Sequence, residues 1–498
     1  MPLIYLYMKS NYFIAFDLGA TSGRTIAGTL NDGMLEIREL TRFPNKIMRV
    51  GDHYYWNLFS LFESVKDGLA AAAKEGMPVT SAGVDTWGVD CVFIGQDGSV
   101  LGLPFSYRDP HTIDACRRYT ESVFSKENIY ARTGIQIMNF NTLFQLYALR
   151  QSRASSLQSA RHILFMPDAF TYLLTGVRVT EYTIASTSQL FNMVNRTMDS
   201  DLLNTVGVSQ DMFGNVVYPG TYAGLLRQEI AEEVGLPPVP VVTVAGHDTA
   251  SAVAAVPAKD CHFAFLSSGT WSLMGIEVDK PIVNEHTYSL NLTNEGGVDG
   301  TVRLLKNITG MWLLEQCLEI WKREGYCYTY GQIEDMVRRT EPLVRFVDPD
   351  DMCFANQTNM PSAIMGYCER TRQPLPVTHA EYVRLIFDSL ALKYREVLGQ
   401  LRSLAPFSID VLHVIGGGSK NRSFSQMTAD AVGIPVIAGP SEAASVGNIM
   451  LQARAAGLVS SLQDMRRVVA ASVDTEIFMP QDTAVWDHAY QRFLQIKS

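Results

Sequence analysis

His247 and Asp248 are the residues of this sequence best placed to do chemistry. They stand in VPVVTVAGHDTASAVAAV (239–256), after a run of β-branched residues and before small apolar residues that predict a buried helix. An aspartate at such a junction is typical of a helix N-cap, where its carboxylate accepts backbone N–H groups. The position also suits a general base, because open α/β sheets bind ligands at the carboxyl ends of their strands. These residues alone leave both interpretations of Asp248 open.

Three glycine-containing turns have the composition of phosphate-binding loops: DLGATSGR (17–24), SSGTWS (267–272) and GGGSK (416–420). Glycine lets the backbone approach a ligand closely, and the neighbouring N–H groups bind anions. The first turn adds the hydroxyls of Thr21 and Ser22, the guanidinium of Arg24, and Asp17, whose carboxylate suits a magnesium ion held through water. Each turn alone is also ordinary hairpin chemistry, so only the combination favours a nucleotide site.

GVDTWGVDCVF (83–93) offers a different kind of chemistry, because two carboxylates, Asp85 and Asp90, suggest a glycosidase pair. On an unbroken strand, however, an offset of five residues places them on opposite faces. They would share a substrate only if the chain bends at Trp87 and Gly88. A tryptophan beside a glycine can present its ring to a sugar, and the alternative is a tryptophan packed in the core.

The composition is that of a globular, acidic protein. Of 498 residues, 47% are hydrophobic and 18% charged, with a net charge of −10. This charge disfavours nucleic acid or an anionic membrane as a partner and favours a small-molecule ligand. The seven cysteines form no CxxC pair and predict buried free thiols in a reducing cytoplasm. Lys9 follows the short apolar opening, which predicts no signal peptide.

The elements that must position these residues follow an α/β pattern, with strand-like and helix-like segments alternating from end to end. The length predicts two or more domains. The stretches YFIAFDLGATSGRTIAGTL and CHFAFLSSGTWSLMGIEV both predict a strand, a turn and a second strand, as if each opened a domain. We therefore expect a boundary near Val256. The segment 379–404 predicts a helix whose apolar stripe lies in the core. The motifs GxxxxGK[ST], GxSxG and HExxH are absent.

Taken together, the motifs resemble the FGGY family of carbohydrate kinases, from about Ile14 to Val469. The motifs that carry this resemblance, in the order and near the spacing of the family, are FDLGATSGR, DTWGVD, GLPFSYRD, FNTLFQL, PDAFTYLLTG, GHDTASAV, LSSGTWSLMG, NEGG, LKNITGMWLLE, IFDSLALKY, IGGGSKN and GNIMLQA. Within the family they resemble the branch that phosphorylates the 1-hydroxyl of L-rhamnulose with ATP.

The resemblance implies a fold of two actin-like, ribonuclease H-like α/β domains with a central cleft. Residues 1–255 would bind the sugar and carry the first phosphate turn, and residues 256–498 would bind mainly ATP. Asp248 would be the general base, and Asp17 would attend Mg²⁺. The residues that would contact the sugar are Gly88, His247, Asp248, Thr249 and Asn307. The residues that would bind ATP are Ala20, Thr21, Ser22, Gly23, Arg24, Thr270, Glu315 and Gly417.

Glu315 departs from the pattern of this branch, which has glutamine at the corresponding position. A carboxylate there would repel phosphates, so we expect Glu315 to face ribose or solvent. Two other functions remain open on the sequence alone. One is a kinase for L-fuculose or another ketose, because epimer choice depends on the direction of a few side chains. The other is an actin-like ATPase without a sugar substrate.

Overall fold

Strands and helices alternate along the chain, which confirms the α/β class. The structure is a computed structural model that describes residues 11–354 and 357–497. The expectation about the amino-terminal segment, including Lys9, lies outside the described residues.

The strands are β1 (Tyr12–Leu18), β2 (Ser22–Asn31), β3 (Met34–Pro44), β4 (Ile47–Val50), β5 (His53–Trp56), β6 (Val79–Thr86), β7 (Cys91–Ile94), β8 (His162–Phe165), β9 (Val179–Glu181), β10 (Phe191–Asn192), β11 (Thr197–Met198), β12 (Asn215–Val217), β13 (Thr221–Leu225), β14 (Pro240–Thr243), β15 (Phe263–Ser268), β16 (Trp271–Val278), β17 (Thr293–Gly296), β18 (Val302–Thr309), β19 (Val411–Ile415), β20 (Val436–Ala438) and β21 (Glu476–Phe478). The helices are α1 (Leu58–Lys74), α2 (Ile113–Ser122), α3 (Lys126–Thr133), α4 (Thr142–Gln151), α5 (Ser155–Ser159), α6 (Met166–Thr175), α7 (Tyr182–Ala185), α8 (Ser200–Thr205), α9 (Gln228–Val234), α10 (Asp248–Ala254), α11 (Glu285–Ser289), α12 (Trp312–Arg323), α13 (Tyr330–Arg339), α14 (Met360–Arg370), α15 (His379–Arg402), α16 (Arg422–Val432), α17 (Ala443–Ala455), α18 (Leu462–Ser472) and α19 (Thr483–Gln495).

The chain divides into two compact units, and neither is continuous in sequence. The first comprises the residues up to Lys259 together with Glu277–Leu304 and Ala443–Val473. The second comprises Asp260–Ile276, Leu305–Glu442 and the chain from Asp474 onward. The boundary that the sequence predicts near Val256 stays a prediction.

The sheet of the first unit brings three chain segments to one edge. Its strand order is β13-β14-β6-β1-β2-β3. Strand β1 runs parallel to β6, and β6 runs parallel to β14. The carboxyl ends of these three strands therefore lie side by side, and each leads into a segment that the sequence marks for function. Those segments are the turn after Leu18, the loop after Thr86 and the chain from Val244 to Asp248.

The second unit shows a similar arrangement, in which β18, β16, β15, β19, β20 and β21 are hydrogen-bonded neighbours in that order within a seven-stranded sheet. Strand β15 forms an antiparallel hairpin with β16 and runs parallel to β19. The SSGTWS turn and the GGGSK turn thus follow the carboxyl ends of neighbouring strands. Both strand-turn-strand predictions are confirmed, since β1 and β2 form the corresponding hairpin in the first unit.

The predicted core helix is α15, which begins with a capping box between Thr378 and Glu381. Its apolar stripe, which includes Ile386 and Leu398, is buried as expected. All seven cysteines are free thiols. The expectation that they are buried is wrong for Cys261 and Cys327, which are exposed, and for Cys353, which is half-buried. No helix within the described ranges is long and apolar enough to cross a membrane.

Candidate active site

Asp248 is the first residue of α10, and the structure corrects its interpretation as an N-cap. His247 occupies the N-cap position and makes no side-chain capping bond. The Asp248 carboxylate instead accepts a hydrogen bond from the Thr249 hydroxyl at 3.1 Å. Its side chain is 29% exposed. Because the carboxylate is not used to cap the helix and reaches the surface, it is available to a ligand.

The chain before Asp248 is fixed by hydrogen bonds around Gly246. Thr86 donates its N–H to the Gly246 carbonyl at 2.8 Å, which ties the end of β6 to this segment. Gly246 donates its own N–H to Glu181 Oε2 at 2.9 Å. A Cβ atom on Gly246 would lie 2.9 Å from the Pro167 ring, so the position suits only glycine. These contacts fix where α10 begins.

The imidazole of His247 lies between Asp248 and a buried ion pair. Its Nε2 atom is 3.6 Å from Asp248 Oδ1, and its Nδ1 atom is 3.2 Å from Glu295 Oε2. Arg303 Nη2 lies 3.2 Å from the same Nδ1 atom and 3.2 Å from Glu295 Oε2. Glu295 belongs to the NEGG motif. Nothing in the sequence marks Arg303, and sequence reasoning missed it.

Gly88 lies in a sharp loop between β6 and β7. Val89, the next residue, has a positive φ of 67°, and its N–H donates to the Thr187 hydroxyl at 3.1 Å. A Cβ atom on Gly88 would lie 3.2 Å from Thr187 Oγ1, which leaves little room for a larger residue. The chain therefore does bend at Trp87 and Gly88, as sharing of a substrate by Asp85 and Asp90 would have required. Trp87 is nevertheless a buried core residue, as the alternative interpretation expected.

The bend does not create a glycosidase pair, because both carboxylates are fully buried. Asp90 Oδ2 accepts from the indole N–H groups of Trp56 at 2.6 Å and Trp87 at 2.9 Å. Its Oδ1 accepts from Gln145 at 2.8 Å. Burial raises the pKa of Asp90 to about 6, although these donors oppose the rise. Asp90 therefore anchors the loop that carries Gly88.

The first phosphate turn joins β1 to β2. Gly19 donates its N–H to the Ser22 carbonyl at 3.0 Å, Thr21 is exposed, and Ala20 and Ser22 are half-buried. Gly23 is buried where a Cβ atom would lie 2.3 Å from the Phe43 ring, so its small size serves packing. The backbone and hydroxyls of residues 20–22 are the groups that this turn exposes to a ligand.

Asp17 and Arg24 pair with each other across the hairpin. Arg24 Nε lies 3.1 Å from Asp17 Oδ2, and the Ser445 hydroxyl donates to that oxygen at 3.1 Å. The predicted phosphate group Arg24 and the predicted metal group Asp17 are therefore neighbours that partly neutralise each other.

Asp85 lies beside Asp17 in register on the parallel strand β6. Asn448 donates to Asp85 Oδ2 at 2.6 Å, and Oδ1 has no hydrogen-bond partner among the described residues. Burial, reinforced by the Asp17 carboxylate, raises the pKa of Asp85 well above its ordinary value. In the parts of the chain that the structure describes, no group of three or more His, Cys, Asp or Glu side chains is placed to hold a metal. One or two carboxylate groups do fit magnesium, which completes its coordination with water and phosphate.

Three of the predicted ATP residues lie in the second unit. Thr270 lies in the turn between β15 and β16, and its hydroxyl donates to Glu315 Oε1 at 2.8 Å. Glu315 is in the first turn of α12, and the N–H of Trp312 donates to the Thr270 carbonyl at 3.2 Å. Gly417 opens a short 3₁₀ turn after β19. A Cβ atom on Gly417 would meet nothing within 4 Å, so its backbone is accessible.

The structure brings most of the predicted sugar residues together within the first unit. Asp248 contacts His247 and Thr249 directly, and the main chains of His247 and Thr86 form an isolated parallel bridge just before Gly88. Asn307 lies on β18 in the part that belongs to the second unit.

The chain belongs to the FGGY family of carbohydrate kinases. Models of the amino-terminal and carboxyl-terminal domains of that family match residues 12–255 and 264–456. The protein is therefore a sugar kinase, a phosphotransferase.

Individual relatives show which members of the family this chain resembles. The chain is 50% identical to a rhamnulokinase of Bacteroides thetaiotaomicron over 98% of this chain and 99% of the relative. It is 40% identical to the rhamnulokinase of Lactiplantibacillus plantarum over 99% of each chain. The fold matches a gluconate kinase from Lactobacillus acidophilus with a TM-score of 0.82, 13% identity and 98% coverage of both chains. It matches a Plasmodium falciparum glycerol kinase with ADP with a TM-score of 0.78 at 16% identity, covering 97% of this chain and 98% of the other.

Proposed function

We propose that this protein transfers the γ-phosphoryl group of ATP to the 1-hydroxyl of L-rhamnulose, giving L-rhamnulose 1-phosphate and ADP, in the catabolism of L-rhamnose. The observation that carries the proposal is Asp248, a partly exposed carboxylate that caps no helix and lies at the strand edge beside His247 and Thr249.

The chemistry requires such a base. A sugar hydroxyl is hardly ionised at neutral pH, so its proton must leave as the oxygen bonds to the γ-phosphorus and the bond to the ADP oxygen breaks. Asp248 accepts that proton, which typically contributes on the order of 10² to 10⁴ in rate. Positioning and neutralisation of the phosphate charge contribute most of the remainder. Magnesium, when bound, neutralises charge on the phosphates, and Asp17 would hold it through water.

The choice of L-rhamnulose is supported by the relatives, since rhamnulokinases from several genera are 39% to 50% identical to this chain across nearly its whole length. That similarity disfavours L-fuculose as the main substrate. An actin-like ATPase would have no use for Asp248 and Gly88 in this arrangement. His247, Thr249, Gly88 and Asn307 are the residues that we propose for sugar contacts.

Each unit contributes residues that we propose for ATP. In the first unit these are Ala20, Thr21, Ser22, Gly23 and Arg24. In the second they are Thr270 and Gly417, whose backbone groups are suited to phosphate oxygens. Glu315 engages the Thr270 hydroxyl, so we propose that it orients Thr270 and does not itself face the phosphates. We also propose a cytoplasmic location, because ATP is the donor and all seven cysteines are free thiols.

The test is an ADP-release assay with magnesium, ATP and a panel of sugars: L-rhamnulose, L-fuculose, L-xylulose, D-xylulose and glycerol. We expect L-rhamnulose to give the highest kcat/KM. In the Asp248→Asn variant, kcat should fall about 10² to 10⁴-fold because no base accepts the hydroxyl proton.

The matched control is Asp114→Asn, which removes another aspartate from the first turn of a helix. That side chain is 71% exposed, so we expect nearly unchanged kinetics. Turnover that no sugar stimulates, or an Asp248→Asn enzyme with most of its kcat, would contradict the proposal.

A further inference from the structure

We propose that Arg303 is a positioning residue that holds the His247 imidazole neutral, with its proton on Nε2, so that the ring offers an N–H to a sugar hydroxyl bound next to Asp248. The part of this proposal in which the His247 ring contacts a sugar hydroxyl rests on the function proposed above. The state of the imidazole is a property of the protein without substrate and can be measured separately.

Arg303 is buried in a way that packing alone does not explain. Its side chain is 0% exposed, and Nε donates to the Gly296 carbonyl at 2.8 Å. Nη2 reaches both His247 Nδ1 and Glu295 Oε2, each at 3.2 Å. Nη1 has no hydrogen-bond partner in the described part of the chain. Burying a guanidinium with one nitrogen unpaired costs free energy, so a purely apolar side chain would serve packing better.

The contact with Arg303 favours one tautomer of the imidazole. A guanidinium is a donor only and stays protonated, so a hydrogen bond from Arg303 to Nδ1 requires a lone pair on that nitrogen. In a neutral ring whose Nδ1 accepts, Nε2 carries the N–H, and this nitrogen lies on the side of Asp248, 3.6 Å from Oδ1 and beyond hydrogen-bond distance.

The opposite tautomer would place an Nδ1–H toward Glu295 but also against the arginine N–H. The ion pair with Arg303 at 3.2 Å offsets the charge of Glu295 and lessens its attraction for such a proton. The charged groups nearest this site are Asp248, Glu295 and Arg303, with Glu181 behind Gly246 and Glu277 near Arg303.

A neutral imidazole benefits the reaction in two ways. It offers a fixed N–H donor to a sugar oxygen next to the base. It also avoids an imidazolium beside Asp248, which would lower the affinity of that carboxylate for the hydroxyl proton.

The primary experiment is ¹⁵N NMR of the histidine-labelled full-length protein without substrate, with His247 assigned by the signals lost in His247→Gln. We expect a neutral ring protonated on Nε2 at pH 7. An Nδ1–H ring or an imidazolium at pH 7 would overturn the proposal.

In Arg303→Met, Nδ1 loses its donor and faces Glu295, so we expect the ring to become Nδ1–H or imidazolium. kcat/KM should fall about 10- to 100-fold as the ring loses its fixed orientation. An unchanged ring in this variant would overturn the proposal. Arg466→Met is the matched control: Arg466 is also buried, pairs with Glu277 at 2.8 Å and should leave the His247 signals unchanged.

Glu295→Gln provides a second variant that does not depend on the folding of Arg303→Met. Arg303 keeps its donor there and the carboxylate that could accept an Nδ1 proton is neutralised, so the ring should remain Nε2–H, and a switch to Nδ1–H would overturn the proposal. If no sugar is phosphorylated while the wild-type ring is neutral and protonated on Nε2, the proposed function fails and the assignment of the tautomer stands.

Discussion

Burial distinguishes the carboxylates at the carboxyl edge of the first sheet. Asp85 and Asp90 are fully buried and engaged by side chains that fix them, whereas Asp248 retains exposed surface. A buried carboxylate pays for desolvation when it ionises, which raises its pKa and limits its use as an exposed base at neutral pH. Within this group, only the exposed position suits contact with a substrate hydroxyl.

Asp90 should make the stability of the protein depend on pH. Its pKa rises from 3.8 in the unfolded chain to about 6 in the folded one. The folded state therefore binds more proton between about pH 4 and 6, and stability falls as pH rises through this window, by on the order of 3 kcal/mol. In Asp90→Asn this loss is absent, so the Tm of the wild type minus that of the variant should decrease from pH 4 to pH 7.

The experiment is thermal unfolding of both proteins at several pH values, followed by tryptophan fluorescence. Asp114→Asn again serves as the exposed control, and its Tm should follow that of the wild type at every pH. Parallel curves for wild type and Asp90→Asn would show that the Asp90 carboxylate does not titrate in this window.

Helix α17 holds the buried carboxylates of the first sheet in place through hydrogen bonds from its polar side chains. Its buried polar residues Ser445, Asn448 and Gln452 follow helical spacing along one face. They bond in turn to Asp17, to Asp85 and to the Ile14 carbonyl, at 3.1, 2.6 and 3.0 Å. A buried polar stripe of this kind is stable only when each member finds a partner, so it fixes the register of α17 against β1 and β6.

The contact between α17 and α10 should tolerate no larger residue at Gly447. A Cβ atom there would lie 1.8 Å from the Ser251 carbonyl oxygen, which is backbone and cannot rotate away. In Gly447→Ala, α10 must move, and Asp248 at its start moves with it. We expect a loss of about 1 to 3 kcal/mol in stability, measured as a lower Tm, and a fall in kcat.

Gly399→Ala is the matched helical control. Gly399 lies within α15 and has no atom within 4 Å of the added methyl group. This substitution should raise stability by about 0.5 to 1 kcal/mol through helix propensity and leave kcat unchanged. A Gly447→Ala enzyme with wild-type Tm and kcat would show that the two helices separate without consequence for Asp248.

The first unit is built from three separate chain segments, so its folding should require residues from distant parts of the sequence. Its third segment, Ala443–Val473, supplies α17 and α18, and α17 is almost wholly buried. A chain of residues 1–259 lacks both helices and leaves the buried Asp85 without its Asn448 donor. We therefore expect this fragment to show no cooperative thermal transition when it is expressed alone, by circular dichroism.

The control is coexpression of residues 1–259 with residues 260–498, which restores every segment without restoring the peptide bond. We expect a cooperative transition to return in the copurified pair. A sharp transition in the isolated 1–259 fragment would mean that α17 adds little to the stability of the first unit.

Several features of this protein could be predicted from local sequence patterns alone. Periodicity predicted the α/β class and the core helix α15, and turn composition predicted the hairpins that carry Asp17 and Thr270. Motifs in order indicated the family. These succeed because strand alternation, helix spacing and glycine turns depend on neighbours in the chain.

Which side chains contact one another could be seen only in the folded structure. Arg303 reaches His247 across a separation of 56 residues, and Asn448 reaches Asp85 across 363. The structure also decided that Asp248 caps no helix and that Trp87 belongs to the core. Burial and hydrogen-bond partners depend on segments that are distant in sequence, and a single chain carries no local signal for them. The chemistry of Asp248 therefore follows from its residue type, and its availability follows from the fold.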